Sequence, residues 1–271
     1  MEENNYGIQK ENSDSLEIKE PISLGEAITE VIIKPSKTFE SIASGPNKNY
    51  WLVPVIILML VYLISNFLIF TNEDLKNDFE NKQRPAIEKQ LDKEIEKQYI
   101  LKDIGEFFKE EAFHEALKRV IIYSFVFSIV EPYIFVFFMA FLYYLVLIIM
   151  KTDKKLKADK KLKKESEFYM RIVNIVGLSV TILAASKIIE IIISVIAGKL
   201  ITLSLGLLIT ESQIESPLLM LISNINIFDF WFFIVISIGI AKISGQKYSV
   251  CYSIVFGFWV TYLIIYYFIT N

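Results

Sequence analysis

The sequence predicts an all-α fold, a polytopic membrane helix bundle of about five transmembrane helices. First, 54% of the 271 residues are hydrophobic, and they form long blocks rather than the short runs of a soluble domain. Second, Trp51 to Phe70 is a run of 20 residues without a charge, which is long enough to cross about 30 Å of hydrocarbon. Because backbone polar groups find no water in lipid, such a run must be helical.

Two segments precede this first span. Residues 1–22 are polar and acidic without an apolar period, which predicts a disordered cytoplasmic tail rather than a cleaved signal peptide. Residues 23–50 predict two short amphipathic helices separated by Pro35, with Phe39 and Ile42 together on a face of the second. These helices lie in the membrane interface or, alternatively, form a solvated collar.

The membrane domain covers 51–271. Its apolar blocks predict spans at about 51–70, 120–150, 172–196, 225–243 and 249–269. The second block has 31 residues, and because a straight helix of that length would measure about 46 Å, we expect a kink or break at Pro132. Residues 197–224 combine a short apolar piece with two glutamates and a proline. They predict a re-entrant or interfacial piece, with a sixth span as the alternative.

Residues 71–119, between the first two spans, carry 10 Lys or Arg and 13 Asp or Glu. This composition predicts an exposed charged helical segment with charge pairs along the helix. Pro85 is expected in the first turn of that helix, where a missing N–H costs nothing.

The distribution of basic residues predicts the orientation in the cell membrane. The loop 151–171 has 9 Lys or Arg against 4 acids, and short basic loops stay in the cytoplasm. Alternation of five spans then places the N-terminus in the cytoplasm, and segment 71–119 and the C-terminus outside. The loop 151–171 either contacts anionic lipid or only fixes this topology.

Three ionisable residues, Glu131, Lys187 and Glu190, lie inside apolar runs. Charges in a membrane helix are costly, so they face protein or water and pair with one another. Lys187 precedes Glu190 by one helical turn, and counting along the helices puts Glu131 at a similar depth. We therefore predict that Lys187 bridges Glu190 and Glu131, as a structural pair near the outer interface or, alternatively, as part of an ion path. Asp229 could reach the same level.

Small residues recur every four positions along the last two spans, and such stripes allow membrane helices to approach closely. They predict a tight antiparallel hairpin in which two stripes face each other. The stripe residues are Ser237, Ala241, Gly245, Ser249, Ser253, Gly257 and Thr261.

Nothing in the sequence indicates an enzyme. His114, the only histidine, lies among surface glutamates, and the only cysteine, Cys251, begins a membrane helix. The sequence has no phosphate-binding loop, paired metal ligands or nucleophile elbow, so no catalytic residue, cofactor or metal is expected. A net charge of −3 gives no reason to expect nucleic acid as a partner.

Two stretches carry a resemblance to a known family. One is IIKPSKTFESIASGPNKNYWLVPVIIL, and the other is NINIFDFWFFIVISIGIAKISGQKYSVCYSIVFGFWV. Together with the acidic segment after the first span, they resemble the Yip family of Ypt/Rab-interacting membrane proteins, in its prokaryotic branch. The resemblance implies five spans, a cytoplasmic N-terminus and no catalytic residues. Its GTPase-binding role is not carried over, because the chain lacks a long cytoplasmic N-terminal domain for it.

Three functional hypotheses follow from the sequence. The first is a non-enzymatic membrane scaffold or adaptor that binds lipids, other membrane proteins or itself, and it expects dry interfaces of small residues. The second is a transport or channel component, which expects a water-filled cavity reaching the three intramembrane charges. The third is a lipid-handling protein, which requires a lateral groove.

Overall fold

The computed structural model describes residues 22–46, 48–97, 106–152, 165–208 and 225–270. The predicted disordered tail therefore lies outside the described residues, except for its last residue. So do the centre of the basic loop 151–171 and most of segment 197–224.

The described residues are helical almost throughout, so the predicted all-α class is confirmed. They form eight α-helices and one short 3₁₀ helix. The helices are α1 (Leu24–Ile33), α2 (Pro35–Ser44), α3 (Leu52–Thr71), α4 (Glu73–Lys97), α5 (Glu106–Thr152), α6 (Glu165–Ala197), the 3₁₀ helix Leu205–Leu208, α7 (Ile227–Ser244) and α8 (Tyr248–Thr270). Among these residues the only strand-like pairing is a single bridge between Ser204 and Asn226.

Five of these helices, α3, α5, α6, α7 and α8, are long and apolar enough to cross a membrane. The predicted number of spans is therefore confirmed. Helix α5 has 47 residues and would measure about 70 Å if straight, more than twice the hydrocarbon thickness. Its first turns therefore extend beyond the lipid, where they pack against α4.

The predicted break at Pro132 is wrong, because α5 is a single helix with Pro132 inside it, while the alternative of a kink there stays a prediction. Proline removes the N–H that would bond the carbonyl of Ser128. Membrane helices tolerate this loss where neighbouring helices and Ser or Thr side chains supply hydrogen bonds. Here the Asn66 amide of α3 donates to Ser124 O at 3.1 Å and to Ser128 Oγ at 2.7 Å, one turn before the proline.

The expected helix start at Pro85 is also wrong. Helix α4 begins at Glu73, and Pro85 lies inside it. The earlier start has a local cause, because the Asn72 side chain accepts a hydrogen bond from the Leu75 N–H at 3.1 Å. Helix α4 and the first turns of α5 form a hairpin with a buried apolar seam, so the charged segment is only partly exposed. The buried seam consists of Ile87, Phe113 and Leu117.

The two N-terminal helices form as predicted, with α1 ending at Ile33 and α2 starting at Pro35. Each buries the apolar face that the sequence pattern indicates, which includes Phe39 and Ile42 of α2. Helix α1 contacts α6, and α2 contacts α7. The two helices therefore cover one end of the bundle, where α3 and α6 begin and α7 ends. This end is called the Trp51 end below.

A buried asparagine secures the chain at the Trp51 end. Asn174 Oδ1 accepts the backbone N–H groups of Tyr50 at 2.9 Å and Trp51 at 3.2 Å, and Asn174 Nδ2 donates to Lys48 O at 2.8 Å. Arg171, one turn earlier on α6, donates to carbonyl oxygens at the C-terminal end of α2. Unpaired backbone groups at helix ends are costly when buried, so these two side chains fix the entry of α3.

Two glycines give the Trp51 end its close packing. A methyl group at Gly177 would overlap Trp51 Cβ and lie 2.7 Å from Trp51 Cα. A methyl group at Gly239 would lie 2.5 Å from Ile175 Cγ2 and 3.0 Å from Phe39 Cδ2. Glycine therefore allows α3 to approach α6, and α7 to approach α6 and α2.

The predicted pairing of the two small-residue stripes is wrong. On α7, Ser237 and Ala241 are buried, and Gly245 ends the helix with a left-handed φ of 68°. On α8, the residues that face inward are Cys251 and Val255, both fully buried. The stripe of α8 is exposed instead, and consists of Ser249, Ser253, Gly257 and Thr261. The four-residue spacing alone does not show which face of each helix packs inward.

Candidate functional site

The intramembrane charges lie at the opposite end of the bundle, formed by the last turns of α3 and α6 and the first turns of α7. This end is called the Glu190 end below. Lys187 Nζ lies 3.3 Å from Glu190 Oε2, so the pair predicted within α6 is present. Glu190 is 7% exposed, and a carboxylate buried to this extent requires partners.

The second oxygen of Glu190 joins α6 to the segments that follow it. Glu190 Oε1 accepts the Leu203 N–H at 3.0 Å and the Asn226 amide at 3.4 Å. The Asn226 amide also donates to Ser186 Oγ at 3.2 Å, and its oxygen caps α7 by accepting the Phe228 N–H at 2.9 Å. The carboxylate of Glu190 therefore has a clear structural role.

The loop that follows α6 is also held from α4. Asp78 Oδ2 accepts the Leu200 N–H at 2.8 Å, and Lys82 Nζ donates to Leu200 O at 2.7 Å. Partial burial raises the pKa of Asp78, but the hydrogen bonds from Lys82 and from the Leu200 N–H outweigh it and hold the pKa below its ordinary value. We call Asp78, Lys82 and Leu200 the α4 clamp.

Glu131 does not join the predicted bridge. Its side chain is exposed, and in the part of the chain that the structure describes it has no hydrogen bond or ion pair. The cause is its position on a face of α5 that is turned outward, where the neighbouring Val130 and Ile134 are 42% and 62% exposed. Lys187 is instead drawn to Glu190, one turn away on its own helix.

Asp229 lies in the first turn of α7, where the helix dipole favours a negative charge. Within the described residues its carboxylate has no hydrogen-bond or ion-pair partner. It lines a polar cleft of about 270 Å³ together with Tyr62, Lys187 and Glu190. Asp229 therefore reaches the level of the buried pair, as the sequence suggested.

A second polar cleft adjoins the first, because Tyr62 and Lys187 line both. It has a volume of about 260 Å³, and Glu131 stands in its wall. The two clefts thus bring together all four ionisable residues, although only one ion pair forms among them.

Ser65 lines the second cleft and is 2% exposed, yet its hydroxyl has no hydrogen-bond partner in the described residues. A buried hydroxyl without a partner costs about 1–3 kcal/mol.

An apolar groove of about 360 Å³ adjoins the first polar cleft, with Leu183 and Asp229 as shared walls. It lies between α5 and α8 and is lined mainly by aromatic side chains, among them Phe138, Phe258 and Trp259. Its volume and lining fall within the range of small-molecule sites in proteins. The first polar cleft and the apolar groove therefore meet at the carboxylate of Asp229.

The residues considered for catalysis lie elsewhere. His114 is on the surface, with Nε2 3.5 Å from Glu110 Oε1, and Cys251 is buried in the bundle. Among the described residues, no group of three or more His, Cys, Asp or Glu side chains could hold a metal ion.

A comparison of the chain with models of protein families, with curated proteins and with solved structures finds no match. The resemblance to the Yip family stays a prediction.

Sequence reasoning missed Tyr62, Ser65 and Asn226 as parts of this site. Ser65 is a single hydroxyl inside the apolar first span, and Tyr62 is one of 14 tyrosines. Asn226 carried a usable signal, because an asparagine before an apolar helix is a typical N-cap.

Proposed function

We propose that this protein is a non-enzymatic membrane adaptor that holds a lipid molecule between its helices. The single observation behind the proposal is the junction at Asp229, where the apolar groove meets the first polar cleft. An amphiphile needs both environments side by side, one for its acyl chain and one for its headgroup. The lipid-handling hypothesis required a lateral groove, and this groove meets that requirement.

A scaffold that only packs against other proteins receives less support. The exposed stripe on α8 could pack against a partner helix, but that role leaves the clefts at the Glu190 end without a function. The Yip resemblance fits a non-catalytic role, and we propose the orientation it implies, with the N-terminus in the cytoplasm and the Glu190 end outside.

Native mass spectrometry of the full chain, purified in mild detergent, tests the proposal. We expect a retained phospholipid on the natural chain. Leu142→Trp, which fills the groove, should lower the bound fraction about tenfold, equivalent to ~1.4 kcal/mol. Leu145→Trp is the matched control, because Leu145 is 39% exposed on α5 and outside the groove lining. Equal retention by both variants would contradict lipid binding in this groove, and no lipid on the natural chain would contradict lipid binding altogether.

Transport is a second candidate, favoured by the two linked clefts that reach Glu131, Lys187 and Glu190. Proteoliposomes containing a pH-sensitive dye would report proton movement under an imposed potential. Transport through the clefts should fall with Glu131→Gln, which removes an exposed charge without breaking a hydrogen bond. A natural chain that moves no protons or alkali cations would eliminate this candidate.

A further inference from the structure

We propose that the bound lipid carries a primary ammonium headgroup, as in an ethanolamine phospholipid, with the ammonium held at Asp229. This inference rests on the proposed lipid-binding function and adds the chemistry of the headgroup. It starts from the charges around the two clefts, Glu131, Glu190 and Asp229 against Lys187, which leave an excess of negative charge.

The position of Asp229 determines which group of the lipid it would meet. It lines both the groove and the first cleft, so an acyl chain lying in the groove brings the polar end of the same molecule to this carboxylate. Glu190 is already bonded to Lys187, Leu203 and Asn226. Asp229 has no such partner among the described residues, and is therefore the carboxylate ready to accept hydrogen bonds from a ligand.

The chemistry of the site favours an ammonium over a metal cation. Calcium takes six to eight oxygen ligands, and among the described residues of the first cleft Asp229 is the only carboxylate without a partner, which is too few. A primary ammonium has only three hydrogens to place, and Asp229 and Tyr62 stand in the same cleft wall. A quaternary ammonium could meet the aromatic lining but could not donate a hydrogen bond to the carboxylate.

The second cleft can receive the phosphate of the same headgroup. The side chain of Lys187 is 37% exposed and lines both clefts, so its amine can meet an anionic oxygen beside Glu190. Ser65 lines the same cleft, but its hydroxyl is buried and plays no part in this proposal. The order Asp229 then Lys187 complements the order ammonium then phosphate of an ethanolamine headgroup, while the carboxylate of Glu131 in the wall of the second cleft opposes the phosphate.

Competition between lipids tests the inference on the natural full chain. The delipidated protein in detergent receives an equimolar mixture of phosphatidylethanolamine, phosphatidylglycerol and phosphatidylcholine with identical acyl chains, and native mass spectrometry counts each bound species. We expect the ethanolamine lipid to exceed each of the others about tenfold, a difference of ~1.4 kcal/mol. Equal binding of phosphatidylcholine would overturn the hydrogen-bonded ammonium, and preference for phosphatidylglycerol would overturn the charge argument.

Variants then locate the headgroup. Asp229→Asn should reduce the preference for the ethanolamine lipid to about twofold or less, less than ~0.4 kcal/mol, while total bound lipid persists because the groove is intact. Asp92→Asn, which removes a carboxylate of α4 that contacts Lys109, should leave the preference unchanged. An Asp229→Asn chain that retains full selectivity would overturn the assignment. If no lipid binds at all, the proposed function itself fails; if lipids bind without selectivity, only this inference fails.

Discussion

The two ends of the bundle are built on opposite principles. At the Trp51 end, glycines allow backbones to approach closely, and Asn174 and Arg171 satisfy the backbone groups of the chain segments that enter there. At the Glu190 end, polar side chains connect α6 and α7 around the open clefts. A dense end and an open end in the same five helices indicate that the Glu190 end is where a ligand can enter.

The comparison also separates two kinds of polar residue. Asn174 is 1% exposed and bonds to three backbone groups. Asp229 and Glu131 have no partner among the described residues, although they lie in an equally apolar part of the sequence. Fully bonded polar groups specify a unique packing, whereas unbonded ones in a cleft wall remain available for a ligand.

The largest expected difference is that the two ends of the bundle lie on opposite sides of the membrane. In a Cys251→Ala background, single cysteines replace Glu88 of α4 and Lys247 of the turn between α7 and α8, both exposed positions. An impermeant maleimide added to intact cells should label position 88 and leave position 247 unlabelled until the cells are opened. The opposite pattern would reverse the predicted orientation, and labelling of both would refute a bundle with its two ends on opposite sides.

Adding one methyl group should disrupt the dense end. Gly177→Ala forces the new Cβ against the Cβ and backbone of Trp51, and overpacking of this kind costs about 1–3 kcal/mol. Thermal unfolding in detergent, followed by tryptophan fluorescence, should show a clearly lowered midpoint. Gly257→Ala on α8 is the control, because nothing lies within 4 Å of its new Cβ. Equal midpoints for the two variants would mean that α3 and α6 are not in close contact.

The two glutamates of the charge cluster should respond differently to removal. Glu190→Ala takes the acceptor from Leu203 and Asn226 and leaves Lys187 unpaired, which should cost about 1–3 kcal/mol. Glu131→Ala removes no hydrogen bond and should change stability by less than about 0.5 kcal/mol. A destabilisation by Glu131→Ala as large as that by Glu190→Ala would indicate that Lys187 bridges both carboxylates after all.

Sequence reasoning succeeded where the physics is local and failed where it depends on contacts between helices. The spans follow from length and apolarity, and the Lys187–Glu190 pair follows from one helical turn. The Asn66 amide of α3 bonds to Ser124 and Ser128 of α5 just before Pro132, a contact between helices that no local pattern reveals. The orientation of the α8 stripe has the same kind of cause, since Cys251 and Val255 pack inward in its place.

The candidate site was predictable only in part, for a related reason. Glu131, Lys187 and Glu190 stand out because charge is rare in apolar runs. A cleft is a volume left between helices, and its walls include ordinary residues such as Tyr62 and Leu183. Their role arises from the packing angles of α3, α6 and α7, which the composition of each helix does not encode.

The smallest expected effect concerns the α4 clamp. Because the pKa of Asp78 is lowered in the folded chain, its stabilising effect is complete above the unfolded value of about 3.9 and is lost as the pH falls through the lowered pKa. Asp78→Asn should therefore lower the free energy of unfolding at pH 7 by less than about 1 kcal/mol, because the pair is partly exposed. Thermal unfolding should show a slightly lower midpoint. That difference should shrink toward zero in strong acid.

Asp92→Asn provides the matched control for the clamp, because the Asp92 side chain is 59% exposed and its ion pair with Lys109 lies within the α4–α5 hairpin. Asp78, in contrast, bonds to the loop after α6 across 122 residues of sequence, so its loss should also speed amide exchange at Leu200. A difference between Asp78→Asn and the natural chain that grows on acidification would contradict the lowered pKa. Unchanged exchange at Leu200 would mean that α4 does not hold this loop.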